Sequence, residues 1–322
     1  MRTIDWADGA VQIVDQTALP DELRVLRLST VDELVAAIRR LAVRGAPALG
    51  VAGAFGVALA ARNHGGDPVK LRDAVRLIAN ARPTAVNLAR GAARAAARLA
   101  DGPDAVLAEA LRLRDEEVAN SVAMAARGAD LVCELCGDRP RLLTHCNTGA
   151  LASVEHGTAL AVVFELHRRG RLAGVVASET RPLLQGARLT AWELANAGIA
   201  FRLAVDGAGP FLMTRGDVDA VVVGADRICA NGDVVNKIGT YAHALGARAA
   251  GIPFLVVAPE STVDTATPRG AAVEIEDRDA GEIRARTPAV NPAFDVTPRH
   301  LVTAIVTERR VVRLDKGETP AG

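Results

Sequence analysis

Five short apolar runs in the second half of the chain each end in polar, reactive side chains. Arg141-Leu142-Leu143-Thr144 leads into His145-Cys146-Asn147-Thr148-Gly149, and Gly174-Val175-Val176-Ala177 into Ser178-Glu179-Thr180-Arg181-Pro182. The run from Ile199 to Val205 ends in Asp206-Gly207. Ala220-Val221-Val222-Val223 ends in Gly224-Ala225-Asp226-Arg227, and Ile252 to Ala258 in Pro259-Glu260-Ser261. A thiol and carboxylates give and take protons when their surroundings tune them. Taken singly, each has a plainer reading. A cysteine after a buried strand is usually a small hydrophobe, and an Asp-Arg dipeptide is usually an ordinary ion pair. It is their common position, after apolar runs, that marks a site.

Those runs are each about one strand long, and helical stretches separate them: Leu151 to Arg169, Gln185 to Ala197 and Asn236 to Ala250. Continuous apolar strands alternating with helices predict a parallel sheet covered on both faces. In such sheets ligands bind at the carboxyl ends of the strands. The chain before Gly137-Asp138-Arg139-Pro140 reads differently. Ala10-Val11-Gln12-Ile13-Val14 and Asp21 to Leu28 form a short strand pair, and helices follow. They begin at Val31 (with Thr30 as N-cap) and span Val69 to Ala81, Ala85 to Leu99 and Ala105 to about Cys136. The expected fold is therefore α/β. Residues 1–140 make a small, mainly helical domain with a strand pair, and 141–322 a Rossmann-like parallel-sheet domain.

Composition narrows the function. Lys plus Arg equals Asp plus Glu at 38 each, so no overall field draws in nucleic acid or anionic membrane. Aromatics are 3%, too few for a base-stacking platform. The stretch Ala46 to Ala61 carries no charge, but it is shorter than the roughly 20 residues of a membrane span and rich in Ala and Gly. It predicts a buried helix. The start, Met1-Arg2-Thr3-Ile4-Asp5-Trp6, lacks the apolar core of a secretory signal, and four cysteines do not make a disulfide framework. The expected location is the cytoplasm.

Three further patterns invite chemistry and do not sustain it. Cys133-x-x-Cys136 has no second pair at zinc-finger spacing and sits near a helix end, so it reads as structural. His145 adjoins Cys146, but neighbouring strand positions face opposite ways, which disfavours a Cys-His dyad. Gly50-x-x-Gly53-x-x-Gly56 does not follow a strand and is not a dinucleotide fingerprint. Cys229 reads as packing. No metal or cofactor is expected.

Six segments in order resemble the methylthioribose-1-phosphate isomerase family. They are Arg44-Gly45-Ala46-Pro47-Ala48-Leu49-Gly50, Arg82-Pro83-Thr84-Ala85-Val86-Asn87-Leu88, Thr144 to Leu151, and Glu179 to Ala191. The longest is Gly224-Ala225-Asp226-Arg227-Ile228 with Asn231-Gly232-Asp233 and Asn236-Lys237-Ile238-Gly239-Thr240, and Asn291 to Pro298 closes the series. The resemblance covers nearly the whole chain. It implies an aldose-ketose isomerase of methionine salvage, acting on 5-methylthioribose 1-phosphate as a homodimer without cofactor. It also implies that Cys146 and Asp226 are catalytic, and that Arg44, Gly45, Ala46, Arg82, Gln185, Asn236 and Lys237 bind substrate. Partial burial would raise the Asp226 pKa for acid-base work.

Some positions depart from that family's pattern. Glu155-His156-Gly157 replaces a Gly-Tyr-Gly-like turn, Ser178 an acidic residue, and Gly207 the polar residue after Asp206. Arg269 to Asp279 is also divergent. These changes leave open which group the sugar carries at C5, with 5-deoxyribose 1-phosphate and ribose 1,5-bisphosphate as alternatives. A rival of another class is a regulatory subunit like those of the translation initiation guanine-nucleotide exchange factor, disfavoured by the joint presence of Cys146 and Asp226. The apolar run Gly207 to Met213 suits a methylthio group better than a second phosphate.

Overall fold

A computed structural model describes residues 2–83, 85–284 and 286–321; Thr84 of the second family segment lies outside them. The chain forms two compact units. One runs to Asn120 and includes Ala150–Gly157; the other comprises Ser121–Gly149 and the chain from Thr158 onward.

The first unit opens with an antiparallel sheet of β1 (Ile4–Ala7), β2 (Ala10–Val14) and β3 (Val25–Leu28). β1 adds a strand to the expected pair. Its four residues are too few to show an alternation, but Asp8-Gly9, both at positive φ, close a tight hairpin onto β2. Helix α1 (Val31–Arg39) carries the expected cap: Thr30 accepts from the Glu33 N–H, and Glu33 reaches back to the Thr30 N–H. Its buried face is Leu34, Val35 and Ile38. Helix α2 (Ala46–His64) is buried at every residue from Pro47 to Ala61, which is why that stretch carries no charge. Around it lie α3 (Pro68–Ala79), α4 (Val86–Ala96) and the start of α5 (Pro103–Cys136). The glycines of α2 serve packing. A Cβ at Gly53 would meet the Leu88 carbonyl at 2.4 Å, and one at Gly91 would meet that of Gly50 at 1.9 Å. Only glycine lets α2 and α4 approach so closely.

The second unit holds, in chain order, β4 (Arg141–Thr144), α6 (Ala159–Arg168), β5 (Gly174–Ser178), α7 (Ala191–Asn196), β6 (Phe201–Ala204), α8 (Ala208–Thr214) and β7 (Ala220–Val223). Then follow β8 (Arg227–Cys229), β9 (Val234–Lys237), α9 (Thr240–Ala250), β10 (Phe254–Val257), β11 (Val263–Asp264), β12 (Phe294–Thr297), β13 (Ala304–Val306) and β14 (Val311–Val312). Seven strands form one sheet in the order β14-β13-β10-β7-β4-β5-β6, parallel except for β14. Alternate residues feed two separate cores. Leu142, Val175, Ala220, Val222 and Leu255 enter one; Leu143, Val176, Val221, Val223 and Phe254 enter the other. Both faces are thus covered, which explains strands without polar alternation. Each fully buried valine or leucine contributes about 1.5–3 kcal/mol.

Two expectations need correction. Asn236 and Lys237 lie on strand β9, not in a helix, and α9 begins only at Thr240. A second sheet, β11-β8-β9-β12, was not foreseen. Its strands are short, and its hairpin turns on Asn231-Gly232-Asp233, with Gly232 at φ +92°.

Candidate active site

From β4 the chain winds through β5 to β6 along one side of the sheet. It then returns to pair β7 with the other edge of β4 and continues outward through β10 to β13. The strand order therefore reverses between β4 and β7, the place where an open parallel sheet leaves a crevice at its carboxyl edge. Leu142 pairs with Ala220 and Leu143 with Val221 across that junction. Cys146 leaves the end of β4 and Asp226 the end of β7.

Cys146 is 9% exposed, and its backbone is held at φ +62°. A non-glycine residue takes this conformation only when its neighbours impose it. Here its N–H donates to Thr180 Oγ1 at 2.9 Å, and its carbonyl accepts from Thr190 Oγ1 at 2.7 Å. Thr180 is itself at φ +67°, an unusual place for a β-branched residue. Asn147 donates from Nδ2 to buried Glu193 at 2.7 Å, anchoring the loop that follows. His145 is fully buried. Its Nε2 lies 2.8 Å from the Ile238 carbonyl, so that nitrogen carries the proton, and Nδ1 lies 3.0 Å from Ser178 Oγ. Both nitrogens are engaged away from the thiol, in keeping with the reading that disfavoured a dyad. Burial pushes the His145 ring toward its neutral form, and does the same to His243, whose pKa falls to about 3. The two rings meet edge-on at 4.9 Å.

Asp226 is exposed. Its backbone N–H donates to the Val235 carbonyl at 3.0 Å, at the rim of the second sheet. Arg227 pairs with Asp264 at 3.3 Å. Lys237 is only 8% exposed, yet among the described residues its ammonium meets no carboxylate and lies 5.1 Å over the Phe294 ring. Asn236 donates to Thr240 Oγ1 at 3.0 Å. Gln185 is buried, and its Oε1 has no hydrogen-bond partner among the described residues. Beside β9, Asp295 accepts the N–H groups of Gly239 and Tyr241 at the start of α9. Burial outweighs those bonds and lifts its pKa to about 6.

Arg44, Gly45, Ala46 and Arg82 belong to the first unit. Gly45 is the N-cap of α2 at φ +96°, with no side chain capping the helix, and Arg82 follows α3; both arginines are partly buried. The four cysteines are free thiols, and burial raises Cys136 and Cys229 to about 11. Among the described residues no cluster of three or more His, Cys, Asp or Glu could hold a metal ion, and no helix is long and apolar enough to cross a membrane. Helix α8 does not offer its apolar residues as one surface: Met213 sits in the core while Phe211 faces solvent. Sequence reasoning missed Thr180, Thr190, Glu193 and Asp295. The two threonines lie inside family-like segments, but only the fold shows what they hold.

The model of the initiation factor 2 subunit family matches residues 42–313. A methylthioribose-1-phosphate isomerase from Anaeromyxobacter sp. (strain K) is 55% identical, over 96% of this chain and 92% of its own. A 5-deoxyribose 1-phosphate isomerase from Moorella thermoacetica is 48% identical, over 96% and 93%. A probable bifunctional methylthioribose-1-phosphate isomerase/methylthioribulose-1-phosphate dehydratase from Nocardia farcinica is 54% identical over 97% of this chain, which spans only 60% of that protein's length. Among solved structures, 5-methylthioribose 1-phosphate isomerase from Pyrococcus horikoshii OT3 superposes with a TM-score of 0.89 at 40% identity, over 97% of this chain and 92% of that one. The translation initiation factor eIF-2B, subunit delta, from A. fulgidus gives 0.83 at 42%, over 97% and 96%. Matched along nearly its whole length in sequence and fold, the chain belongs to the initiation factor 2 subunit family, in its methylthioribose-1-phosphate isomerase branch.

Proposed function

We propose that the chain isomerises 5-methylthioribose 1-phosphate to 5-methylthioribulose 1-phosphate, with Cys146 and Asp226 as its acid-base pair. The observation that carries this reading is their departure from β4 and β7, neighbouring strands at the reversal of the strand order. Relatives bearing that isomerase name at 45–55% identity over almost their full length support the same substrate class.

Phosphate on the anomeric carbon keeps the sugar ring closed. In the net reaction the bond between C1 and the ring oxygen breaks and that oxygen gains a proton. One hydrogen passes from C2 to C1, and the C2 hydroxyl gives up its proton as it becomes the ketone. Nothing outside the sugar is oxidised or reduced, so an acid and a base suffice. Lys237, buried and meeting no carboxylate among the described residues, favours an anion beside it, which supports a phosphate contact. In the first unit, Arg44, Arg82 and the N–H groups at Gly45 and Ala46, where α2 begins, are of the kind that binds phosphate. Gln185, whose buried Oε1 has no hydrogen-bond partner among the described residues, and Asn236 take sugar hydroxyls.

The working form is a homodimer in the cytoplasm. The edge strand β6 and helices α8 and α9 leave Leu203, Val205, Phe211, Tyr241 and Leu245 exposed, apolar area that a second copy would cover. Four free thiols fit a reducing compartment.

NMR-detected turnover of methylthioribose 1-phosphate, 5-deoxyribose 1-phosphate and ribose 1,5-bisphosphate in competition tests the reading. The methylthio sugar should have the highest kcat/KM, exceeding the 5-deoxy sugar by no more than about two hundredfold. Preference for the bisphosphate would overturn the substrate assignment, and no turnover of any of the three would overturn the isomerase.

A further inference from the structure

We infer that Asp206 is the positioning residue of this site, a carboxylate that ties the loops after β4, β5 and β6 together and so fixes the backbone of Cys146. The inference rests on the role given to Cys146 above. Asp206 Oδ1 accepts the Thr180 N–H at 2.8 Å, and Oδ2 accepts the Arg181 N–H at 2.7 Å. The Ser178 hydroxyl makes a third, short bond to Oδ1. Thr180, held in this way in its left-handed conformation, turns its own hydroxyl to the Cys146 N–H at 2.9 Å. On the other side Ser178 Oγ lies 3.0 Å from His145 Nδ1, and His145 reaches the Ile238 carbonyl just after β9. One carboxylate thus reaches Cys146 through Thr180; on the other flank the His145 ring only packs beside Ser178, whose single hydrogen goes to Asp206.

The group must be a carboxylate. Three donors converge on its two oxygens, and an amide in its place would turn an N–H₂ toward at least one of them. Burial alone would raise the carboxyl, but the bonds from Ser178, Arg181 and Thr180 outweigh it and hold Asp206 below the usual carboxylate range. The titratable groups around the hub are His145, His243 on α9 and Lys237 on β9.

The test compares Asp206→Asn, nearly isosteric, and Ser178→Ala with the parent as full-length proteins. Steady-state kinetics with methylthioribose 1-phosphate are combined with alkylation of Cys146 by iodoacetamide across pH, read by peptide mass spectrometry without substrate. Asp206→Asn should lower kcat by at least about tenfold with KM within about threefold, and should shift the rate and pH dependence of Cys146 alkylation while leaving Cys133 unchanged. Ser178→Ala, which removes one donor of three, should shift both in the same direction by less. Parent-like kcat and alkylation in Asp206→Asn would overturn the inference. Should Asp206→Asn not fold, an unchanged Cys146 alkylation profile in Ser178→Ala would overturn it. A parent protein that turned over none of the sugars would refute the isomerase reading, while the alkylation comparison would still decide the role of Asp206.

Discussion

Leu143 of β4 pairs in parallel register with Val221 of β7, and the chain winds outward from that pair in opposite directions. Such a junction opens a crevice between the two loops that leave it, and those loops carry Cys146 and Asp226. Their side chains are of the kind that moves protons. Cys146→Ala and Asp226→Asn should each lower kcat by at least about a hundredfold, the scale for losing an acid-base group. Neither empties a large core position, so thermal midpoints should stay close to the parent's. Near-normal turnover in either variant would remove that residue from the catalytic pair.

Lys237 poses a trade-off between binding and stability. A buried ammonium without a carboxylate is costly to desolvate until an anion arrives. Lys237→Met should therefore raise the thermal midpoint of the free protein while raising KM, or the dissociation constant for inorganic phosphate, about ten- to a hundredfold. Arg44→Ala and Arg82→Ala should weaken binding on the same scale without the gain in stability. Unchanged KM in all three would move the phosphate elsewhere.

Asp295 should make stability pH-dependent. Its carboxyl releases its proton near 6 in the fold but at the ordinary 3.8 when unfolded. Between those values the folded state binds more protons, so stability falls as pH rises through the window, by about 3 kcal/mol in all, and stays lower above it. Asp295→Asn keeps an acceptor for Gly239 and Tyr241 but does not titrate. Urea unfolding at pH 4.5 and 7.5 should show a smaller loss between the two pH values for the variant. An equal loss would locate the pH dependence in another group.

Gly45 stands where no other residue fits. Its φ is +96°, and a Cβ would lie 2.2 Å from the Ala152 carbonyl. Gly45→Ala should destabilise the protein by more than about 3 kcal/mol, since backbone strain and a clash with main chain add. Denaturant melts measure it, and a loss below about 1 kcal/mol would mean the α2 entrance is free to shift.

Much of this protein was legible in one dimension. Runs such as Ala220 to Val223, apolar at every position, are intelligible only as strands buried on both faces, and they appear as β7 and its neighbours. Thr30 as N-cap marked the start of α1, and the uncharged Ala46 to Ala61 predicted a buried helix. Local chemistry settles such features because each depends on a few adjacent residues. What decides the site is the order of strands in space. Nothing local says that β7 returns to the far side of β4, because that pairing joins residues far apart in the chain through backbone bonds any sequence can make. For the same reason Asn236 and Lys237 read as the start of a helix until β12 supplied their partner strand. The support of Cys146 by Thr180, Thr190 and Asp206 likewise came into view only with the fold, since a hydrogen bond between loops leaves no periodic trace in sequence.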